Sequence, residues 1–208
     1  MKRALVILLV LFVAWPALAF ADKPGPATAS VKSANEKISA LLKQKVPAGS
    51  QAEKDQATKV TTSVRDLLDI DELGKRAMAD QWSKLSAAQQ TEFLSTLRSL
   101  IEANYVSGLR ANLDYTVDYT GESVKGTDTV VTTTINTKRH GHPYKIEVDY
   151  VLHDEGGKLK AWDVSTDGVG LVDNYRAMFN KIISSDGFNG LIAKMKKKQS
   201  ETQGAQGG

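Results

Sequence analysis

The feature that most restricts the fold is a change in the spacing of apolar residues near Leu113. Four segments between Leu113 and Thr166 have patterns typical of strands: either apolar and polar residues alternate, or β-branched residues dominate. The breaks between them read "GESVKG", "KRHGHP" and "HDEGGK". Because breaks this short favour hairpins, we predict four antiparallel strands. Their sheet should have one apolar face and one solvent-exposed face.

Helical spacing dominates on both sides of this region. Four helices are predicted before it, and Ser86 with Gln89 forms a capping-box pattern at the start of the longest. Two more are predicted after it, over residues 171–183 and 188–197, where Gly168 and Gly170 permit the turn from the last strand. Because the apolar sheet face must be covered, we predict an α+β fold with helices packed on one face of a four-stranded antiparallel sheet.

The first 21 residues have the pattern of an export signal. Lys2 and Arg3 precede an apolar run over residues 4–15, and Ala19-Phe20-Ala21 provides the small residues that a signal peptidase requires. An uncleaved membrane anchor is the alternative, but the run is shorter than the roughly 20 residues of a span. We therefore expect cleavage before Asp22 and a periplasmic location.

The remaining chain has the length of one domain. Residues 22–29 are predicted to be a linker, residues 30–198 the domain and residues 199–208 a disordered tail, because both ends are rich in small and polar residues. The signal carries two of the 27 basic residues and none of the 24 acidic ones, so the mature chain is almost neutral. That balance argues against a nucleic-acid partner, which requires a concentrated basic face.

No motif in the chain predicts catalysis. His140 and His142 lie in a predicted turn without the carboxylates or cysteines that would complete a metal site. Asp69 and Asp71 stand at a predicted helix start, where helix capping explains them better than acid–base chemistry. No nucleophile motif or phosphate-binding glycine loop is present. We expect no enzymatic activity, no metal and no cofactor.

Aromatic residues concentrate where predicted helices and strands meet. The simplest interpretation is a solid core, because aromatic side chains bury much apolar surface. The other is the wall of a ligand pocket. The residues concerned are Trp82, Phe93, Tyr105, Tyr150, Trp162, Tyr175 and Phe179.

Two segments carry a pattern that extends beyond periodicity. They are "LLDIDELGKRAMADQWSKLSAAQQTEFLSTLRSLIEANY" (67–105) and "WDVSTDGVGLVDNYRAMFNKIISSDGFNGLIAKMKKK" (162–198). Both resemble the MlaC family, the periplasmic phospholipid-binding proteins of an ABC lipid-transport system, also called toluene-tolerance proteins. Ala79, Gly170 and Met178 depart from the family pattern, which usually has Gly, Ser and Gln there. With the signal peptide and element order, the resemblance covers nearly all of the mature chain and implies that residues 30–198 are a lipid-binding domain.

The resemblance implies helices and a sheet that enclose an apolar cavity for acyl chains. Arg176 would contact a lipid phosphate or a partner. The implied partners are phospholipid, a membrane-anchored lipid-transfer subunit of an ABC transporter and an outer-membrane-associated lipoprotein. A hopanoid-associated carrier, a small-ligand enzyme on a cone-shaped α+β scaffold and a solid-core partner-binding domain are the alternatives. The expected lipid-binding residues are Trp82, Phe93, Leu97, Tyr105, Val148, Tyr150, Trp162, Val169, Leu171, Tyr175 and Phe179.

Overall fold

A computed structural model describes residues 24–47, 49–108 and 115–204. In these residues helices come first, strands follow, and a long helix closes the chain. The helices before the sheet are α1 (Pro26–Lys43), α2 (Gln51–Leu67), α3 (Ile70–Met78), a 3₁₀ helix (Ala79–Lys84) and α4 (Ala87–Gly108). The strands are β1 (Thr116–Lys125), β2 (Asp128–Arg139), β3 (His142–Glu155), β4 (Lys158–Thr166) and β5 (Val169–Gly170), and the last helix is α5 (Leu171–Gly204).

The strands form one antiparallel sheet in the order β1-β2-β3-β4-β5. The four predicted strands correspond to β1–β4. The fifth, β5, has two residues and pairs with the end of β4. A strand of two residues is too short to show alternation, so the sequence pattern could not reveal it. Strand β1 lies at the edge of the sheet, and its register with β2 shifts between Tyr119 and Gly121.

The helices cover one face of the sheet, as the sequence predicts. On β3 the side chains of Val148, Tyr150 and Leu152 are buried, whereas the residues between them are only half-buried. They join a single apolar cluster to which α4 contributes Phe93 and α5 contributes Phe179, both with no exposed surface. The predicted α+β fold class is thus confirmed.

Side-chain caps fix the beginnings of several helices. The Asp69 carboxylate accepts a 2.9 Å hydrogen bond from the Glu72 amide at the start of α3, as predicted. Ser86 and Gln89 form the predicted reciprocal pair before α4, at 2.9 and 3.3 Å. At the start of α5, the Asp163 carboxylate accepts a 3.1 Å bond from the Val172 amide. This last bond fixes the direction in which α5 leaves the sheet.

Helix α5 contains the break that the sequence predicts between residues 183 and 188. Gly187 interrupts it with φ of 68°, a backbone conformation that favours glycine. The helix then continues to Gly204, beyond the boundary expected for a disordered tail at residue 199.

Helix α1 begins at Pro26, earlier than the linker expected over residues 22–29 would allow. Proline is favoured in the first turn of a helix, where its missing N–H has no partner to lose. The expected signal peptide, residues 1–21, lies outside the described residues. Among the helices in the described ranges, none is long and apolar enough to cross a membrane.

Candidate functional site

An open groove of about 740 Å³ lies between helix α1 and the edge of the sheet formed by β1 and β2. Its volume falls within the range of small-molecule sites, about 300–1,000 Å³. Apolar and aromatic side chains predominate in its lining, with charged groups from α1 among them. The lining residues are Lys32, Asn35, Glu36, Ile38, Ser39, Ala40, Lys43, Tyr115, Thr116, Val117, Tyr119, Ile135 and Tyr150.

Strand alternation explains why an apolar surface faces this groove. On β1 and the residue before it, Tyr115, Val117 and Tyr119 are half-buried, whereas the residues between them are exposed. Ile135 of the paired strand β2 is also half-buried and lies opposite Val117. These side chains face α1 but are not closed off by it. The groove therefore presents apolar surface that the protein itself does not cover.

A small polar network joins α1 to the sheet within the groove. The Asn35 side-chain amide donates to the hydroxyl oxygens of Tyr119, at 3.2 Å, and Tyr150, at 3.3 Å. Burial raises the pKa of both phenols, and the hydrogen bond from Asn35 opposes that rise. Both hydroxyls are consequently neutral at physiological pH and retain a proton to donate. They can hydrogen-bond an oxygen of a ligand without carrying charge into the groove.

Charged side chains of α1 stand at the open side of the groove. Lys32 and Glu36 form an exposed ion pair with 3.9 Å between nitrogen and oxygen, and Lys43 is exposed at the end of the helix. Exposed pairs of this kind contribute little to stability. They leave the rim hydrated, so the groove is apolar inside and polar at its mouth.

Four of the predicted lipid-binding residues form an aromatic cluster away from the groove. Its ring centroids lie 6.3 Å apart for Trp82–Phe93, 5.4 Å for Phe93–Phe179 and 5.3 Å for Tyr175–Phe179. Edge-on and stacked contacts at these distances are typical of packed aromatic residues. Phe93 and Phe179 are wholly buried, and Trp82 and Tyr175 pack partly buried against the same apolar cluster.

The other predicted lipid-binding residues divide between core, groove and surface. Tyr150 is the one member of the predicted set among the described lining residues of the groove. Leu97 and Val148 are buried in the core, and Leu171 packs partly buried against it. Val169 is 53% exposed. The remaining two are Trp162 and Tyr105. Trp162 is half-buried beneath the guanidinium group of Arg76, and the side chain of Tyr105 is not among those that the structure describes.

Arg176 makes its contacts within the protein. Its guanidinium group donates to the Asp173 carboxylate at 2.8 Å and to the backbone carbonyl of Arg76 at 2.9 Å. That carbonyl belongs to the last turn of α3, where backbone oxygens lack helical partners. Arg76 in turn stacks on Trp162, with its guanidinium carbon 3.8 Å from the ring centroid. Arg176 thus joins α5 to the end of α3.

The sequence did not single out the groove as a site. The alternation of Tyr115, Val117 and Tyr119 was visible and identified a strand with one apolar face. Nothing in the pattern indicated that α1 covers this face only in part. Asn35 carried no signal, because its role depends on two tyrosines that are 84 and 115 residues away in the chain.

No histidine is among the described lining residues of the groove. His140 and His142 are exposed in the β2–β3 turn. The Nε2 atom of His153 lies 2.9 Å from the carboxylate of Asp69, which also caps α3. In the part of the chain that the structure describes, no group of three or more His, Cys, Asp or Glu residues could hold a metal ion.

Comparison with known proteins places this fold. The structure resembles that of the phospholipid-binding protein from Ralstonia solanacearum, which was solved in complex with a phospholipid. The TM-score is 0.69 at 23% sequence identity, and the match covers 85% of this chain and 98% of that one. Among curated proteins, none matches the sequence significantly. The family model described as "MlaC protein" matches residues 32–197, and the chain therefore belongs to the MlaC family.

Proposed function

We propose that this protein is a periplasmic carrier that holds phospholipid acyl chains in the groove between α1 and the sheet edge. The observation that carries the proposal is the half-buried apolar surface of Val117, Tyr119 and Ile135, which faces open space in a member of the MlaC family. The phospholipid bound to the structurally similar Ralstonia protein supports the same ligand class.

The energetics of lipid transfer explain why a carrier needs such a groove. Exposing hydrocarbon to water costs about 0.8 kcal/mol per CH₂, so a 16-carbon chain costs on the order of 12 kcal/mol. A flat patch would leave most of the chain in water. A groove shields it on several sides, and the neutral hydroxyls of Tyr119 and Tyr150 can meet the ester oxygens without an ionic site.

The headgroup then stays at the hydrated rim. Lys32, Glu36 and Lys43 provide both signs of charge there, so the rim itself imposes no single headgroup charge. Because a bound lipid gains little relative to a bilayer, release depends on a membrane partner. We propose that the chain is exported by cleavage after residue 21 and shuttles lipid between a membrane-anchored ABC transporter subunit and an outer-membrane-associated lipoprotein.

A pair of tryptophan substitutions on one strand tests the proposal. Val117→Trp places an indole in the groove, whereas Val124→Trp makes the same change on β1 at a residue that is 76% exposed. We expect both variants to fold. Native mass spectrometry of protein purified from a bacterial periplasm should show co-purifying phospholipid with wild type and Val124→Trp, and little with Val117→Trp.

The alternatives give different outcomes in the same experiment. Equal phospholipid content in both variants would place the ligand elsewhere in the fold. A ligand with the mass of a hopanoid would identify a carrier for that lipid class. Protein that is free of ligand after gentle purification would favour a solid-core binding domain, and turnover of a small substrate by such protein would favour an enzyme.

A further inference from the structure

The turn between β2 and β3 is a concentrated basic surface. Residues 138–145, here called the basic hairpin, are all exposed. They include Lys138, Arg139 and Lys145, together with two histidines and Tyr144. No carboxylate occurs between Asn136 and Ile146. In a chain that is almost neutral overall, this segment therefore stands out as purely cationic.

The basic hairpin projects beyond its neighbours in the sheet. Pairing between β1 and β2 ends at Thr116 and Asn136, and pairing between β3 and β4 ends at Val148 and Thr166. Asp167, which follows β4, still makes hydrogen bonds with Glu147 at 2.9 and 3.1 Å. Residues 142–146 of β3 thus extend past the end of β4, and at about 3.4 Å per residue they reach about 17 Å beyond it. Beyond the Asn136–Lys145 pair, no other strand of the described sheet flanks β2 and β3. Lys138 and Arg139 stand in this two-stranded part, and Lys145 stands at its base, where β1 still pairs with β2.

These cations have no acidic partners within the described residues. No ion pair there involves Lys138, Arg139 or Lys145, although Arg139 lies 5.5 Å from the ring centroid of Tyr144. Lysines on α5 differ, because Lys194 and Lys196 each contact a carboxylate. The opposite end of the sheet is mixed in charge. Its turns carry Asp128, Asp154 and Glu155 beside Lys125 and Lys158.

The basic hairpin is continuous with one end of the groove. Ile135 lines the groove and pairs with Ile146, and the next pair along the ribbon is Asn136 with Lys145. The ribbon therefore begins where the apolar lining ends. Whatever surface the hairpin contacts is brought next to the mouth of the groove.

We propose that the basic hairpin docks the protein on an anionic phospholipid bilayer with the groove mouth toward the headgroups. A tip of eight residues is too small for the roughly 800 Å² per partner of a stable protein interface. A charged bilayer needs no shape complementarity, and it attracts each nearby Lys or Arg independently. Tyrosine beside arginine suits the headgroup layer, where aromatic rings with a polar tip accumulate. This docking proposal rests on the proposed carrier function, but binding to a bilayer can be measured whether or not the protein carries lipid.

Vesicle co-sedimentation of the full-length mature protein tests this docking. We expect binding to vesicles of phosphatidylglycerol and phosphatidylcholine and none to phosphatidylcholine alone. The variant Lys138→Gln/Arg139→Gln/Lys145→Gln should lose about 100-fold in partitioning, since each cation accounts for about five-fold at an anionic surface. Binding of the wild type should also weaken strongly in 0.5 M salt, because exposed charges are then screened.

A matched control removes the same charge from the other end of the sheet. Lys125→Gln/Lys158→Gln/Lys160→Gln should lose less than about three-fold in partitioning, because its net charge changes equally but the hairpin is intact. Equal losses in the two variants, or wild type that binds neither kind of vesicle, would overturn the proposal. The latter result would leave an acidic protein surface as the partner. Native mass spectrometry of the hairpin variant should still show bound phospholipid, which separates failure of docking from failure of the carrier function.

Discussion

Truncation of Phe179 distinguishes a packed core from a lipid-lined wall. The ring has no exposed surface and lies 5.4 Å from the ring of Phe93 and 5.3 Å from that of Tyr175. Replacement of a fully packed Phe by Ala costs about 3–5 kcal/mol, which includes the cavity that remains. We expect Phe179→Ala to lower the free energy of unfolding by that amount. For a chain of this length, the loss corresponds to roughly 6–20 °C in Tm.

Urea unfolding followed by circular dichroism measures this loss. Met178→Ala is the matched control, because its side chain is next in sequence but 40% exposed; it should cost less than about 1 kcal/mol. Both variants should be compared after delipidation, so that bound ligand does not add to the stability of the folded state. A loss below about 1.5 kcal/mol for Phe179→Ala would refute the packed-core interpretation, because it would mean that the ring borders empty or lipid-filled space.

Three further predictions concern stability. Gly74→Ala should destabilise the protein by about 1–3 kcal/mol in urea unfolding, because the new Cβ would lie 2.8 Å from Leu97 Cδ2. This loss is expected although alanine has the better helix propensity. A gain in stability would show that α4 can shift. Asp69→Ala should lower the free energy of unfolding by about 1–2 kcal/mol through loss of the α3 cap. Asp69→Asn should lower it clearly less, since asparagine also caps helices. Equal losses in the two variants would assign the effect to the contact with His153 instead. Burial raises the pKa of Tyr119, Tyr150 and Tyr175, so the unfolded chain releases these phenolic protons first. The contribution of these three phenols to the free energy of unfolding is complete below about pH 10 and falls above it. The urea midpoint should therefore drop above about pH 10, and it should drop less for Tyr150→Phe. An identical drop in that variant would exclude Tyr150 as a source of the pH dependence.

Local patterns in the sequence were sufficient to predict the sheet and most helix starts. The alternation on β3 identifies Val148, Tyr150 and Leu152 as the buried side of the strand without reference to any other element. The Asp69 and Ser86 caps involve partners only three residues away. Such signals are local in the chain, and the structure retains them unchanged.

The division between core and groove could not be predicted in this way. Periodicity identifies the apolar side of an element but not whether protein or open space covers it. Phe179 and Val117 both lie on apolar faces, yet one packs against Phe93 and the other faces a groove. Val169 is among the lipid-binding residues that the family resemblance implies; it lies in the two-residue strand β5 at the sheet edge, where it is 53% exposed.

Strand β1 has a consequence for association between copies of the chain. Within the described residues, no strand pairs with the outer edge of β1, and a ten-residue edge of this kind could add strands from a second molecule, which is a common route to aggregation. The register shift between Tyr119 and Gly121 interrupts the regular row of hydrogen-bonding groups along that edge. Glu122 lies just beyond it and accepts a 2.7 Å hydrogen bond from the Thr28 amide of α1, which holds a helix beside the strand. The chain can therefore keep an apolar groove open at a sheet edge while disfavouring edge-to-edge pairing there.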